Sequence, residues 1–300
     1  MDHPHKPNLF IIGAMKSGTS SLHVYLAEHP EIFMCEPKEP SYFVSREDLK
    51  RWYPWMEEQG IWKGEERYLQ LFAAAGNRKV IGESSTSYTK LPQIAGVVER
   101  LAAFSPKARF IYIMRDPVER TISHYWHMVR NRDERRDMLT AIRDEPHFRE
   151  VSHYAMQLAP WFRIWGRESV YTMTTEELSG DPEGSVRRIF AWLGVDQSFV
   201  PKSIHTPEHV TPEELRQATG WAGLFQIRQS SLYRAIRPAI PEGLRRFVSG
   251  MTRRTVKRRE VESDAVKDYL RPIQLEQTRE LSILLGREFP EWKTLYARGR

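Results

Sequence analysis

The 300-residue sequence contains one cysteine, Cys35. A disulfide framework and a cysteine-built zinc site within one chain are therefore excluded, and a reducing compartment is expected. No stretch approaches the roughly 18 consecutive apolar residues of a spanning helix. Nor does a basic segment, an apolar segment and a cleavage site open the chain. The expectation is a soluble, cytoplasmic protein. Internal repeats and low-complexity segments are absent, and no two of the ten histidines have convincing metal-ligand spacing, so no metal is expected. What remains is an ordinary globular composition, 40% hydrophobic and 28% charged, with 45 basic against 39 acidic residues, 45 − 39 = +6. Disorder is excluded by that apolar fraction.

Short apolar runs at Leu9 to Ile12, around Val80 and Ile81, at Arg109 to Met114 and at Val170 to Thr174 read as buried parallel strands. Helical spacing fills the intervals: Ser20 to His29, Leu91 to Phe104, Val118 to Arg132 and Ser185 to Leu193 before Gly194. Two more helices are expected, over Ser263 to Leu270 and over Pro272 to Leu285 before Gly286. Strands alternating with helices predict an α/β fold with a doubly wound parallel sheet. We expect a single domain over 1–300. Its core is 8–195, followed by a variable helical insertion or lid at 200–250 and a C-terminal closing segment at 251–292.

The stretch from Leu9 to Leu22 is the most informative. A strand feeds a loop holding Gly13, Lys16, Ser17, Gly18, Thr19 and Ser20, and then a helix. Glycines let the backbone curl so that amides point inward, and the helix N-terminus adds partial positive charge. Gly13 and Gly18 have the separation of Walker A glycines, but Thr19 follows Gly18 directly and Lys16 precedes it. No strand ends in a magnesium-holding aspartate. The loop is thus expected to bind a phosphate-like group without a metal. A second cation, Arg115, ends the strand Arg109 to Met114, with Pro117 suited to the first turn of the next helix and Ser123 further along it. Two anion sites at strand ends describe a ligand with two charged ends.

These residues resemble a known family. Gly13 to Ser20 looks like the 5′-phosphosulfate loop of sulfotransferases that use 3′-phosphoadenosine 5′-phosphosulfate (PAPS). Arg115-Asp116-Pro117, with Arg120, Ser123 and Tyr125, looks like their 3′-phosphate site. The P-loop-like fold and the heparan-sulfate-type and bacterial branch are the nearest in pattern, supported by Lys38 to Phe43, Gly82 to Tyr88, Glu177-Leu178 and Phe190 to Gly194. The resemblance implies that Lys16, Ser17, Gly18, Thr19 and Ser20 hold the 5′-phosphosulfate. It implies that Arg115 and Ser123 hold the 3′-phosphate, with Arg253 and Arg254 closing over it. It also implies Glu39 as general base, with Lys16 and Glu83 as further catalytic residues. Relatives often carry lysine after the second glutamate, where this chain has Ser84. The activity implied is transfer of a sulfuryl group to an acceptor hydroxyl, releasing adenosine 3′,5′-bisphosphate. Glu83, Tyr88 and Tyr154 are expected to line the acceptor pocket.

From Arg234 to Arg259 nine basic residues face one acid, Glu242. That charge fits an anionic acceptor, peripheral contact with an anionic membrane surface or part of the donor site, and a solvated helical face explains it equally. The expected partner is a small-molecule, lipid or saccharide acceptor; nucleic acid is not expected. Two other function classes stay open at this point. One is a nucleotide kinase or NTPase with a variant loop; the other is a non-catalytic polyanion-binding module.

Overall fold

The structure, a computed structural model, describes residues 5–131, 134–206, 214–218, 253–257 and 264–297. Five strands form one parallel sheet: β1 (Leu9–Gly13), β2 (Ile32–Met34), β3 (Val80–Ser84), β4 (Arg109–Met114) and β5 (Val170–Thr174), in the order β2-β3-β1-β4-β5. β1 pairs with β3 on one side and β4 on the other, so the chain winds both ways from the centre. β1 and β3 are buried along their whole length, as expected where helices cover both faces of a parallel sheet. One core cluster joins Leu9, Ile11, Ile111 and Ile113 of the sheet to Leu22 and Leu26 of the first helix and Ile189 and Phe190 of a later one.

Strand expectations hold at four positions; β2 was not anticipated. Its three residues are too few to show a pattern, and only its pairing with β3 makes it a strand. Gly82 of β3 answers to that pairing: a Cβ there would meet Met34 Sδ at 2.6 Å and Leu9 O at 3.3 Å.

Two helix expectations change. The helix expected over Leu91 to Phe104 begins only at Val97, with Gly96 capping it at φ 73°. Leu91 instead exchanges both backbone bonds with the buried Gln157 side chain, its N–H donating at 2.9 Å and its carbonyl accepting at 2.8 Å. These satisfy the backbone without a helix. At the C-terminus one helix, Asp264–Leu285, replaces the two expected and carries Pro272 inside it. The buried stripe Val266, Leu270, Gln274, Thr278 and Leu281 runs through the proline without a break in register. Packing of that stripe outweighs the one backbone bond the proline removes.

The chain divides into two compact units. The first comprises Met1–Thr121, His147–Val210 and Leu270–Arg300, and holds the five-stranded sheet; the second comprises Ile122–Pro146 and Thr211–Tyr269. In the second, Asp137 caps the helix Met138–Asp144, and Arg136 pairs with Glu134 at 2.7 Å. Its strands β6 (Glu214–Ala218) and β7 (Arg253–Lys257) pair antiparallel, with Ala218 opposite Arg253. The helical insertion expected at 200–250 lies largely outside the described residues, and its described part includes a strand, β6. The basic stretch 234–259 is described only at 253–257. Among the described residues, no helix is long and apolar enough to cross a membrane.

Candidate active site

The anion loop follows β1. Its shape is set by three positive φ values: Gly13 at 155°, Lys16 at 69° and Gly18 at 90°. A lysine in the left-handed region is strained by about 1–3 kcal/mol, so the surroundings must hold it. They do. Ala14 N–H donates to Ile113 O at 2.7 Å and Ser17 N–H to Ala14 O at 3.2 Å. The Thr175 hydroxyl lies 2.6 Å from Ser17 O and 2.9 Å from Met114 O. Thr175 therefore ties the loop to the carboxyl end of β4. It was not singled out in the sequence, although Thr174 to Glu177 spells the capping box that the structure forms.

The loop leads into the helix Thr19–Ala27, whose N-cap Gly18 supplies no side-chain bond to the first amides. Those amides and the helix dipole face the loop. Ser17 Oγ is fully buried and has no hydrogen-bond partner among the described residues. An unpartnered buried hydroxyl inside a curled loop at a helix N-terminus is what an anionic group would satisfy. The residues present thus fit a phosphate-type ligand.

Glu39 stands beside this loop. Its backbone lies in the left-handed region at φ 63°, and Ser41 follows at φ 51°. β3 and the turn after it hold both. Glu39 N–H donates to Ser84 O at 2.9 Å, and Ser41 N–H donates to Ser85 Oγ at 3.1 Å. The Glu39 carboxylate accepts from Thr86 N–H at 2.9 Å and from the Thr86 hydroxyl at 3.1 Å. Its Oε1 lies 3.8 Å from Lys38 Nζ. Lys38 in turn donates to Ser20 Oγ at 2.9 Å and Thr19 Oγ1 at 3.3 Å. The base expected from sequence and the expected anion loop are brought together, and the bridge is a lysine that was not among the expected site residues. Its sequence signal is its place at the start of the Lys38 to Phe43 stretch that carries the resemblance.

Glu83 is different. It is fully buried at the end of β3. Tyr68 and Tyr88 donate their hydroxyls to Oε1 and Ser85 donates to Oε2, each at 2.8 Å. Burial pushes its pKa up to about 7, against the pull of the three hydroxyl donors and with the nearby Glu39 charge adding to the rise. Glu83 thus lies sealed beneath the Glu39 loop, linked to it through Ser85, whose hydroxyl donates to Glu83 and accepts from Ser41 N–H. Tyr88 and Tyr154 are the other two residues expected at the acceptor pocket. Both are buried; the first is bonded to Glu83, and the second donates to Arg115 O at 2.7 Å. Ser84 is buried and shares a 2.7 Å bond with His23 Nδ1. Burial and the Lys38 charge lower the His23 pKa to about 4, so this imidazole is neutral near pH 7.

Arg115 sits at the end of β4 with its guanidinium 3.6 Å from Glu119 and partly exposed. Asp116 does not pair with it. The Asp116 carboxylate accepts from Val118, Glu119 and Leu295 backbone amides, which starts the following helix and pins the C-terminal segment. Arg120 is fully buried, bonded to Ser152 and to Phe148 O. Ser123 lies on the helix Pro117–Asn131, in the second unit. Arg253 and Arg254 lie on β7 of that unit. Among the described residues, no group of histidine, cysteine and carboxylate side chains is arranged to hold a metal.

Comparison with known proteins adds the following. Residues 7–199 match the sulfotransferase family. A membrane-associated sulfotransferase of Dictyostelium discoideum is 35% identical over 120 residues, 40% of this chain and 22% of that protein. Mouse heparan sulfate glucosamine 3-O-sulfotransferase 3B1 is 25% identical over 208 residues, 66% of this chain and 49% of that protein. The chain thus spans half or less of the length of these relatives. A sulfotransferase of Alicyclobacillus acidocaldarius superposes with a TM-score of 0.66 over 96% of this chain and 98% of its own, at 24% identity. That likeness shows the expected P-loop-like fold.

Proposed function

The chain belongs to the sulfotransferase family, and from that premise we propose that it transfers a sulfuryl group from PAPS to an acceptor hydroxyl. When bound, the donor supplies an activated sulfuryl group: its bond to the 5′-phosphate oxygen breaks as a bond forms to the acceptor oxygen. One observation carries the donor half, the buried and unpartnered Ser17 hydroxyl within the loop.

Lys16, Ser17, Gly18, Thr19 and Ser20 hold the 5′ end. Lys16 and the loop amides stabilise the charge that builds on the leaving phosphate oxygen. Arg115 faces the 3′-phosphate, to which a guanidinium gives a paired contact. Glu39 takes the acceptor proton; positioned general bases of this kind contribute about 10²–10⁴-fold. Thr86 holds the Glu39 carboxylate in place from one side. The name of the mouse 3-O-sulfotransferase supports a saccharide hydroxyl as acceptor.

The test is thermal stabilisation by adenosine 3′,5′-bisphosphate, the product, against ATP with magnesium, on the wild type and on Lys16→Ala. Ligand at about 100 times its dissociation constant stabilises by about 2.7 kcal/mol. A shift with the bisphosphate that ATP does not match and the variant lacks is the expected result. A shift only with ATP and magnesium overturns the donor reading in favour of a nucleotide kinase. No shift with either leaves a polyanion-binding module as the better account.

A further inference from the structure

Lys38 is placed between two groups that the proposed reaction must bring to opposite sides of one atom. Its Nζ donates to the hydroxyls of Thr19 and Ser20, on the loop that holds the donor's 5′ end. The same nitrogen lies 3.8 Å from Oε1 of Glu39, the group that takes the acceptor proton. In an in-line transfer the group passing between those two sides is the sulfuryl group. Resting on the donor reading above, we infer that Lys38 is a sulfuryl-binding residue: its ammonium contacts the transferred group and separates PAPS from adenosine 3′,5′-bisphosphate at this site.

Several features of the local structure favour this placement. Lys38 precedes a backbone fixed at two left-handed positions, Glu39 and Ser41, each tied to the chain after β3. The lysine is therefore aimed by the same scaffold that aims the carboxylate. Its side chain is 23% exposed, so it is partly withdrawn from water and open to a ligand. The adjoining imidazole, His23, is neutral and adds no competing positive charge near pH 7. A cation held to two hydroxyls exchanges them for an anionic oxygen with a gain, since hydrogen bonds to charged groups are the stronger ones. Lys16 belongs to the loop itself, so the two lysines come from different segments of chain.

The two nucleotides differ only in the sulfuryl group, which makes their affinity ratio the measurement. Affinities for PAPS and for adenosine 3′,5′-bisphosphate are determined without acceptor, by calorimetry, on the wild type, Lys38→Met and Lys38→Arg. The expected result is a loss of PAPS affinity of about tenfold or more in Lys38→Met, as for removal of one charge-assisted bond. Bisphosphate affinity should change by less than about twofold, and Lys38→Arg should recover much of the PAPS loss. Retained bisphosphate binding also reports that the variant is folded. An equal loss for both nucleotides would show that Lys38 merely shapes the Thr19 and Ser20 hydroxyls, and would overturn the inference. So would unchanged affinity for both. A wild type that binds neither nucleotide would sink the donor reading itself, and this inference with it; binding of both, with no effect of Lys38→Met, would sink the inference alone.

Discussion

The anion loop from Gly13 to Ser20 is one continuous piece of chain, and its features are local: glycines for positive φ, a lysine, hydroxyls and a helix N-terminus. The carboxylate side is assembled from segments far apart in sequence. Glu39 leaves the turn after β2, Glu83 and Ser85 end β3, Thr86 and Tyr88 follow, and Tyr68 arrives from a separate helix. Both sides carry residues of similar chemistry whose surroundings the structure separates. On the loop, Ser17 is buried without a partner among the described residues, while Thr19 and Ser20 are bonded to Lys38. On the carboxylate side, Glu39 is partly exposed and Glu83 is sealed. A local loop needs its residues in the right order; a tertiary assembly sets which of two glutamates is sealed and which stays partly exposed.

The largest effect that would break this comparison is expected at Glu39. Glu39→Gln should lower the rate of bisphosphate release with an accepting hydroxyl by about 10²–10⁴-fold, while donor affinity stays within a few-fold. If Glu39→Gln instead weakened donor binding as severely as turnover, the two sides would be one site and the division would fail.

Glu83 should act on stability in place of chemistry, with a definite pH signature. Burial raises its pKa from 4.5 to about 7, so between those values the native state keeps a proton that the unfolded chain has released. Its contribution to stability is therefore greatest below about pH 4.5 and falls as pH rises to about 7, by about 3 kcal/mol. His23 acts with the opposite sign. Its pKa is lowered from 6.5 to about 4, so stability falls as pH drops across that window and the unfolded chain takes up the proton first. Denaturant unfolding of wild type and Glu83→Gln at several pH values isolates the first slope, because His23 is common to both. Parallel curves for the two proteins would show that Glu83 is ionised throughout and would remove it as a neutral support.

The smallest effect tests how local the loop is. Thr175→Val removes the hydroxyl between Ser17 O and Met114 O, and a loss of about 1 kcal/mol is expected. Thermal unfolding reads the stability change, and a matching drop in bisphosphate affinity would show that the loop depends on the helix that follows β5 as well as on its own sequence.

The fold was legible where burial forced a pattern. Four strands of the parallel sheet have both faces covered and read as apolar runs, whereas β2 is short and owes its strand character to pairing. The break before Val97 and the unbroken C-terminal helix were not legible, because Gln157 and the stripe through Pro272 act at a distance in sequence. The anion loop was legible almost residue by residue. Glu39 could be singled out only through the family resemblance, and Lys38 entered only as the first residue of the stretch that carries it, with no role attached.

What the sequence determined by itself is therefore the doubly wound sheet, the curled loop with its lysine and hydroxyls, and the cation Arg115 at the end of β4. Each follows from interactions within a few residues, or from a burial pattern that repeats along one segment. Only the tertiary structure decided that Glu83 is sealed under three hydroxyls and that Glu39 is held out by Thr86. It alone set Lys38 against both the loop and the carboxylate. Desolvation and hydrogen bonding depend on which distant atoms surround a group, and those neighbours exist only once the segments have packed together.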